Sequence, residues 1–174
     1  MKTLLFNVNK VDRIVISEVY TWRGKDFFDS FFCNISKSGD GPLYLFIGLL
    51  LWILDPQVGR EIVMAGLIAF SLELPTYKIA KLLIKRKRPF EKMQGIQFLL
   101  PPPDRFSFPS GHTASAFLMW VILSHFYPFW LIPGLIWASL IGFSRVYLCV
   151  HYPSDIFAGI TLGILCARFA LFII

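Results

Sequence analysis

Two of the three histidines stand beside residues suited to phosphate chemistry. Pro109-Ser110-Gly111-His112 leads into an apolar stretch, and His151 precedes Asp155 by four residues across Pro153. Upstream lies a basic run, Lys81-Leu-Leu-Ile-Lys-Arg-Lys-Arg88-Pro89, and Ser144-Arg145 comes shortly before His151. Lys81 and Arg88 are two helical turns apart, so both project from one face of a helix end. Arg forks onto phosphate oxygens where Lys is a compact point charge; the same run also suits a polybasic membrane anchor. Ser110 fits an N-cap, and Gly111 leaves the backbone open to close approach. The free N–H groups and helix dipole there make an anion site with His112 at its edge. Taken alone, that tetrapeptide reads more simply as a capped helix with a bystander histidine.

Pro153 favours a helix starting at that point. A carboxylate one turn from His151 could hold the imidazole N–H and leave the other ring nitrogen free to attack. The plainer alternative is an Asp that caps a helix near an unrelated His. Arg145 would complete a cage of positive charge, in which a metaphosphate-like transition state is stabilised without any metal.

The elements that must position these groups are membrane helices. At 174 residues and 56% hydrophobic content, with a mean hydropathy of +0.62, the chain is one domain too apolar to be soluble. The formal net charge is +6, yet the basic residues flank apolar segments. That points to anionic lipid or a phosphorylated head group as partner and away from nucleic acid. Cys33, Cys149 and Cys166 are scattered, with neither a disulfide framework nor metal-ligand spacing, and read as small buried hydrophobes. No signal peptide is recognisable after Lys2, so later helices are expected to direct insertion.

Residues 1–40 carry too many charges for the bilayer centre, where each costs about 2.5–3.5 kcal/mol. They are expected to form one or two interfacial amphipathic helices, ended by Gly39-Asp40-Gly41-Pro42. Five spans follow: a short one from Leu43 to Leu54, then Ile62 into Lys85, Gly111 to Phe126, Phe129 to Tyr147, and Pro153 to Ile174. Gly159 and Gly163, like Gly134, Ala138 and Gly142, have the spacing that lets helices pack closely, here expected within one chain. Alternating spans bring every polar cluster, and the N-terminal segment, to one membrane face. Glu73, near mid-membrane, is expected to be a buried, hydrogen-bonded group outside the site.

Together the three motifs, Lys81-x6-Arg88-Pro89, Pro109-Ser110-Gly111-His112 and Ser144-Arg145-x5-His151-x3-Asp155, resemble the signature of the type 2 phosphatidic acid phosphatase superfamily. That superfamily also includes vanadium haloperoxidases and glucose-6-phosphatase; the multispan layout is similar to its small bacterial membrane lipid phosphatases. The resemblance implies an all-α integral membrane protein, with an interfacial segment at 1–40 and a phosphatase domain at 41–174. It implies a cofactor-free, metal-free enzyme in which His151 attacks phosphorus, Asp155 orients it, and His112 protonates the leaving oxygen and then activates water. Lys81, Arg88, Ser110, Gly111 and Arg145 would hold the phosphoryl oxygens. The helix end and neighbouring cations should lower the pKa of His112, and bound phosphate should raise it.

The substrates implied are lipid A 1-phosphate, phosphatidylglycerophosphate, undecaprenyl pyrophosphate or phosphatidate. Lys85, Arg86, Lys87, Lys92 and Arg105 exceed what one phosphate needs, which fits a polyanionic head group such as lipid A or anionic lipid in general. A lipid phosphotransferase and a catalytically silent lipid-binding or transport protein are the competing readings. The positive-inside rule would turn the motif face to the cytoplasm, whereas the resemblance implies a periplasmic site in a bacterial inner membrane. A monomer that binds no nucleic acid is expected.

Overall fold

The computed structural model describes residues 2–174, with side chains from Val8 onward, and the described residues form helices and no strands. Two helices, α1 (Lys2–Thr21) and α2 (Asp26–Lys37), precede the hydrophobic body of α3 (Gly41–Leu54), α4 (Pro56–Ile84), α6 (Gly111–Phe126), α7 (Leu131–Tyr147) and α8 (Pro153–Ile173). A single turn, α5 (Pro89–Lys92), follows the α4 exit, and a 3-10 turn at Pro128–Trp130 leads into α7.

Helix boundaries follow local chemistry. Asp55 ends α3 and caps α4, its Oδ1 accepting the Val58 N–H at 3.4 Å, and Pro56 sits where a proline costs no hydrogen bond. The second span therefore begins at Pro56, before the expected Ile62, and takes in Arg60 and Glu61. Segments including α4, α7 and α8 are long and apolar enough to cross a membrane. With 14 and 16 residues, α3 and α6 are shorter; 14 residues rise about 21 Å against a hydrocarbon core of about 30 Å.

The tightest packing is between α6 and α8. A Cβ added at Gly159 would lie 2.6 Å from the Ser110 carbonyl oxygen, and one at Gly163 would lie 2.2 Å from that of Ala114. Glycine is what lets the two backbones touch, so the small-residue stripe is used inside the chain. Below this contact Ala65 and Ala69 of α4 meet Leu118 and Ile122 of α6 and Ala167 and Ala170 of α8 in the main apolar core. Cys166 is buried in it, Cys149 is buried near the site, and Cys33 is half-buried.

Both N-terminal helices are amphipathic. Ile16 and Val19 of α1 are buried against Val146, Tyr147, Tyr152 and Ile156, while Val11 and Ile14 of the same helix face outward. Phe32 of α2 lies against Tyr147, with Phe27 and Phe31 outward. These helices thus cover the ends of α7 and α8 from which the polar motifs emerge. The ends of α2, α4 and α7 and the starts of α3, α6 and α8 gather at this one face.

Candidate active site

At the exit of α4 the chain turns through Lys85, in a left-handed conformation at φ 49°. Such a conformation is costly for a residue with a side chain and is common at functional sites. It ends α4 at Ile84, so Arg88 does not share a helix face with Lys81 as their spacing predicted; the bend brings the two together instead. They converge on a carboxylate: Asp104 Oδ1 lies 2.8 Å from Lys81 Nζ and 2.6 Å from Arg88 Nη2. Both cations also donate to the Phe106 carbonyl, at 2.9 and 3.1 Å. Arg88 Nη1 donates to the Val150 carbonyl at 2.6 Å and stands 3.4 Å from His151 Nε2.

Ser110 occupies the N-cap position of α6, but its hydroxyl accepts from Thr113 Oγ1 at 2.9 Å and bonds no helix N–H. Among the described residues no side chain caps this helix start, which leaves its amide groups for an anion. At Gly111 an added Cβ would find the Tyr77 ring at 3.5 Å, an ordinary contact. Gly111 lines the cavity, and packing does not forbid a side chain there. His112 Nε2 lies 2.8 Å from Asp40 Oδ1.

The third motif folds back across the same space. Arg145, almost fully buried, donates through Nη1 to Ser36 Oγ, and its carbonyl accepts the N–H groups of Val150 and His151 at 3.2 Å. Between them Cys149 takes a left-handed φ of 58°. His151 is 2% exposed, its Nε2 turned to Arg88 and its Nδ1 3.7 Å from Asp155 Oδ2. That is close, yet beyond a hydrogen bond. Asp155 instead accepts the Tyr152 N–H at 2.9 Å through Oδ2 and Arg86 Nη1 at 2.6 Å through Oδ1. Burial, and then the charges of Arg88, Arg145 and Lys81, hold the His151 imidazole well below the usual histidine range, so the ring is neutral. Burial pushes the Asp104 carboxyl up, but the hydrogen bonds and charges of Lys81 and Arg88 outweigh it and keep Asp104 ionised.

All eight predicted residues thus meet at one place, and two readings need correction. Arg86 is no surplus cation for a head group: it is 15% exposed and bound to Asp155, Asp12 and Ser154. Glu73, expected to be hydrogen-bonded, is fully buried with both oxygens unpartnered among the described residues. Asp12, Ser36, Asp40, Arg86 and Asp104 went unassigned as members of the site. Their partners are far away in sequence, 72 positions for Asp40–His112 and 142 for Asp12–Ser154, so no local spacing announces them.

One cavity of about 680 Å³ holds this polar cluster at one end. It continues between Leu45, Leu49 and Trp52 of α3 and Val63, Leu67 and Leu74 of α4. The sequence profile of the PAP2 superfamily matches residues 61–174, which include every predicted site residue. This chain belongs to the PAP2 superfamily. It is 31% identical to the undecaprenyl-diphosphatase of Sulfolobus acidocaldarius over 91% of its own length and 73% of that protein's. Its fold superposes on Aquifex aeolicus LpxE with a TM-score of 0.80, 29% identity and coverage of 90% and 92% of the two chains. With the PAP2-type phosphatidylglycerolphosphate phosphatase of Bacillus subtilis the TM-score is 0.79, at 26% identity and coverage of 96% and 86%. The PAP2 match begins after Asp12, Ser36 and Asp40, which reach the site from outside it.

Proposed function

We propose that this integral membrane lipid phosphatase hydrolyses a lipid phosphate monoester or pyrophosphate through a phosphohistidine at His151, without a metal. The observation that carries the reading is one continuous cavity, caged in cations at one end and walled by apolar side chains at the other. A head-group phosphate seated against Lys81, Arg88, Arg145 and the free amides at the start of α6, from Gly111 onward, leaves a hydrocarbon chain lying between α3 and α4.

His151 Nε2 attacks phosphorus and the lipid oxygen departs with a proton from His112. Asp155 orients the ring as its Nδ1–H closes the 3.7 Å gap. His112, held by Asp40, then takes a proton from water as that water attacks the phosphohistidine, and phosphate leaves with His151 restored. The cations spread and neutralise the developing charge, the largest contribution such a site makes; acid–base help from His112 adds about 10²–10⁴-fold.

The undecaprenyl-diphosphatase and phosphatidylglycerolphosphate phosphatase relatives define the first substrates to try, beside phosphatidate and lipid A 1-phosphate. Lys85, Lys87, Lys92 and Arg105 remain exposed and free to meet anionic lipid. Initial rates of phosphate release in mixed vesicles would rank these lipids. His151→Ala should abolish turnover and trapping of a phosphoenzyme, and His112→Ala should slow both steps. Retention of normal turnover by His112→Ala would refute the division of roles. We further place the site on the periplasmic face of an inner membrane, residues 1–40 as a segment lying on that face against a body of 41–174, and the chain as a monomer. Use of the glycine stripe within the chain supports the last point. A reporter fused after Ile174, on the opposite face, tests the orientation.

A further inference from the structure

Asp12, on α1 and outside the PAP2 match, is 2% exposed and reaches the start of α8. Its Oδ1 accepts the Ser154 N–H at 3.0 Å, and its Oδ2 accepts Ser154 Oγ at 2.5 Å and Arg86 Nη2 at 2.6 Å. The other arm of the same guanidinium, Nη1, donates to Asp155 Oδ1 at 2.6 Å. Arg86 therefore spans two carboxylates, one arm to each, with its plane over the Tyr152 ring at 4.1 Å.

This division has a geometric consequence. Arginine facing a single carboxylate prefers to fork onto both of its oxygens. Asp12 holds one arm away, so Asp155 gives only Oδ1 to Arg86 and keeps Oδ2 for the Tyr152 N–H and the His151 side. We infer that Asp12 is a positioning residue for the nucleophile, acting through Arg86 to keep one oxygen of Asp155 available to His151. The N-terminal helix is then part of the catalytic apparatus as well as a cover for it. The inference rests on His151 as nucleophile.

The substitution Asp12→Asn keeps an oxygen for the Ser154 N–H but gives up the charge that holds Arg86. In full-length protein in vesicles, kcat should fall about 10–100-fold, the range a small misplacement of a reacting group costs, with KM and thermal midpoint little changed. Arg86 then competes with His151 for Asp155, so adding Arg86→Gln to Asp12→Asn should restore part of the lost kcat. Asp26→Asn, on the exposed start of α2, should match wild type. Wild-type kcat in Asp12→Asn, or a double variant slower than the single one, would overturn the inference. Trapping phosphate on His151 in the wild type separates the two levels. If His151 is labelled and Asp12→Asn labels equally fast, only the role of Asp12 falls; if His151 is never labelled, the nucleophile assignment falls and takes this inference with it.

Discussion

His151 Nδ1 stands 3.7 Å from Asp155 Oδ2, while His151 Nε2 stands 3.4 Å from Arg88 Nη1. One nitrogen faces the Asp155 carboxylate and the other faces the cations that would hold a phosphoryl group. The ring is thus aimed, with its orienting contact still to tighten.

The neutral imidazole sets the pH behaviour. In the proposed mechanism protonation switches His151 off, and burial with three nearby cations makes it harder to protonate, so the acid limb due to His151 in kcat/KM should lie well below the usual histidine range. Arg88→Gln removes one of those cations and should move that limb upward, besides weakening substrate binding. A wild-type limb at the ordinary histidine position, unmoved in Arg88→Gln, would contradict this.

Asp104 occupies Lys81 and Arg88 as a phosphoryl oxygen would, and a bound phosphate must compete with it. Charge-assisted contacts are among the stronger hydrogen bonds, but the Asp104 side chain is 37% exposed, so solvent reduces the gain to about 1 kcal/mol. Asp104→Asn should accordingly tighten inhibition by inorganic phosphate about fivefold. Unchanged or weaker inhibition would show that Asp104 helps to build the cage.

The α6–α8 contact has no room for a methyl group. Gly163→Ala should destabilise the protein by about 1–3 kcal/mol or more and lower kcat, because parting these helices separates His112 from Asp155. Gly66→Ala, where a Cβ meets nothing within 4 Å, is the control for stability. Thermal unfolding in detergent and turnover should fall together in the first variant, with no loss of stability in the second.

An unpartnered buried carboxyl is a burden on stability. Glu73→Leu should raise the thermal midpoint, with a gain of about 1–2 kcal/mol, and leave turnover near wild type. A collapse of activity with the fold intact would give Glu73 a role in the reaction.

How far the sequence could be read depended on how local the cause was. Lys81 with Arg88, and His151 with Asp155, announce themselves because each pair lies within a few residues, although Arg88 falls beyond the end of α4 and His151 before the start of α8. The helices were legible from apolar runs ended by Asp55-Pro56 and begun by Pro153. Arg86 was misread because a basic run looks the same whether its members face lipid or a buried acid, and only folding brings Asp12 beside it. Glu73 was misread for a related reason: burial can be read from an apolar helix, whereas the presence of a partner across the bundle cannot.

The wall between α3 and α4 is built from side chains that also face outward, with Leu45 69% and Leu67 65% exposed. A slot open along its flank can be filled sideways, by a molecule that never leaves its own leaflet. Encounter is then a two-dimensional event. The rate should follow the mole fraction of phosphorylated lipid in the surface, and diluting vesicles in buffer at fixed composition should leave it unchanged.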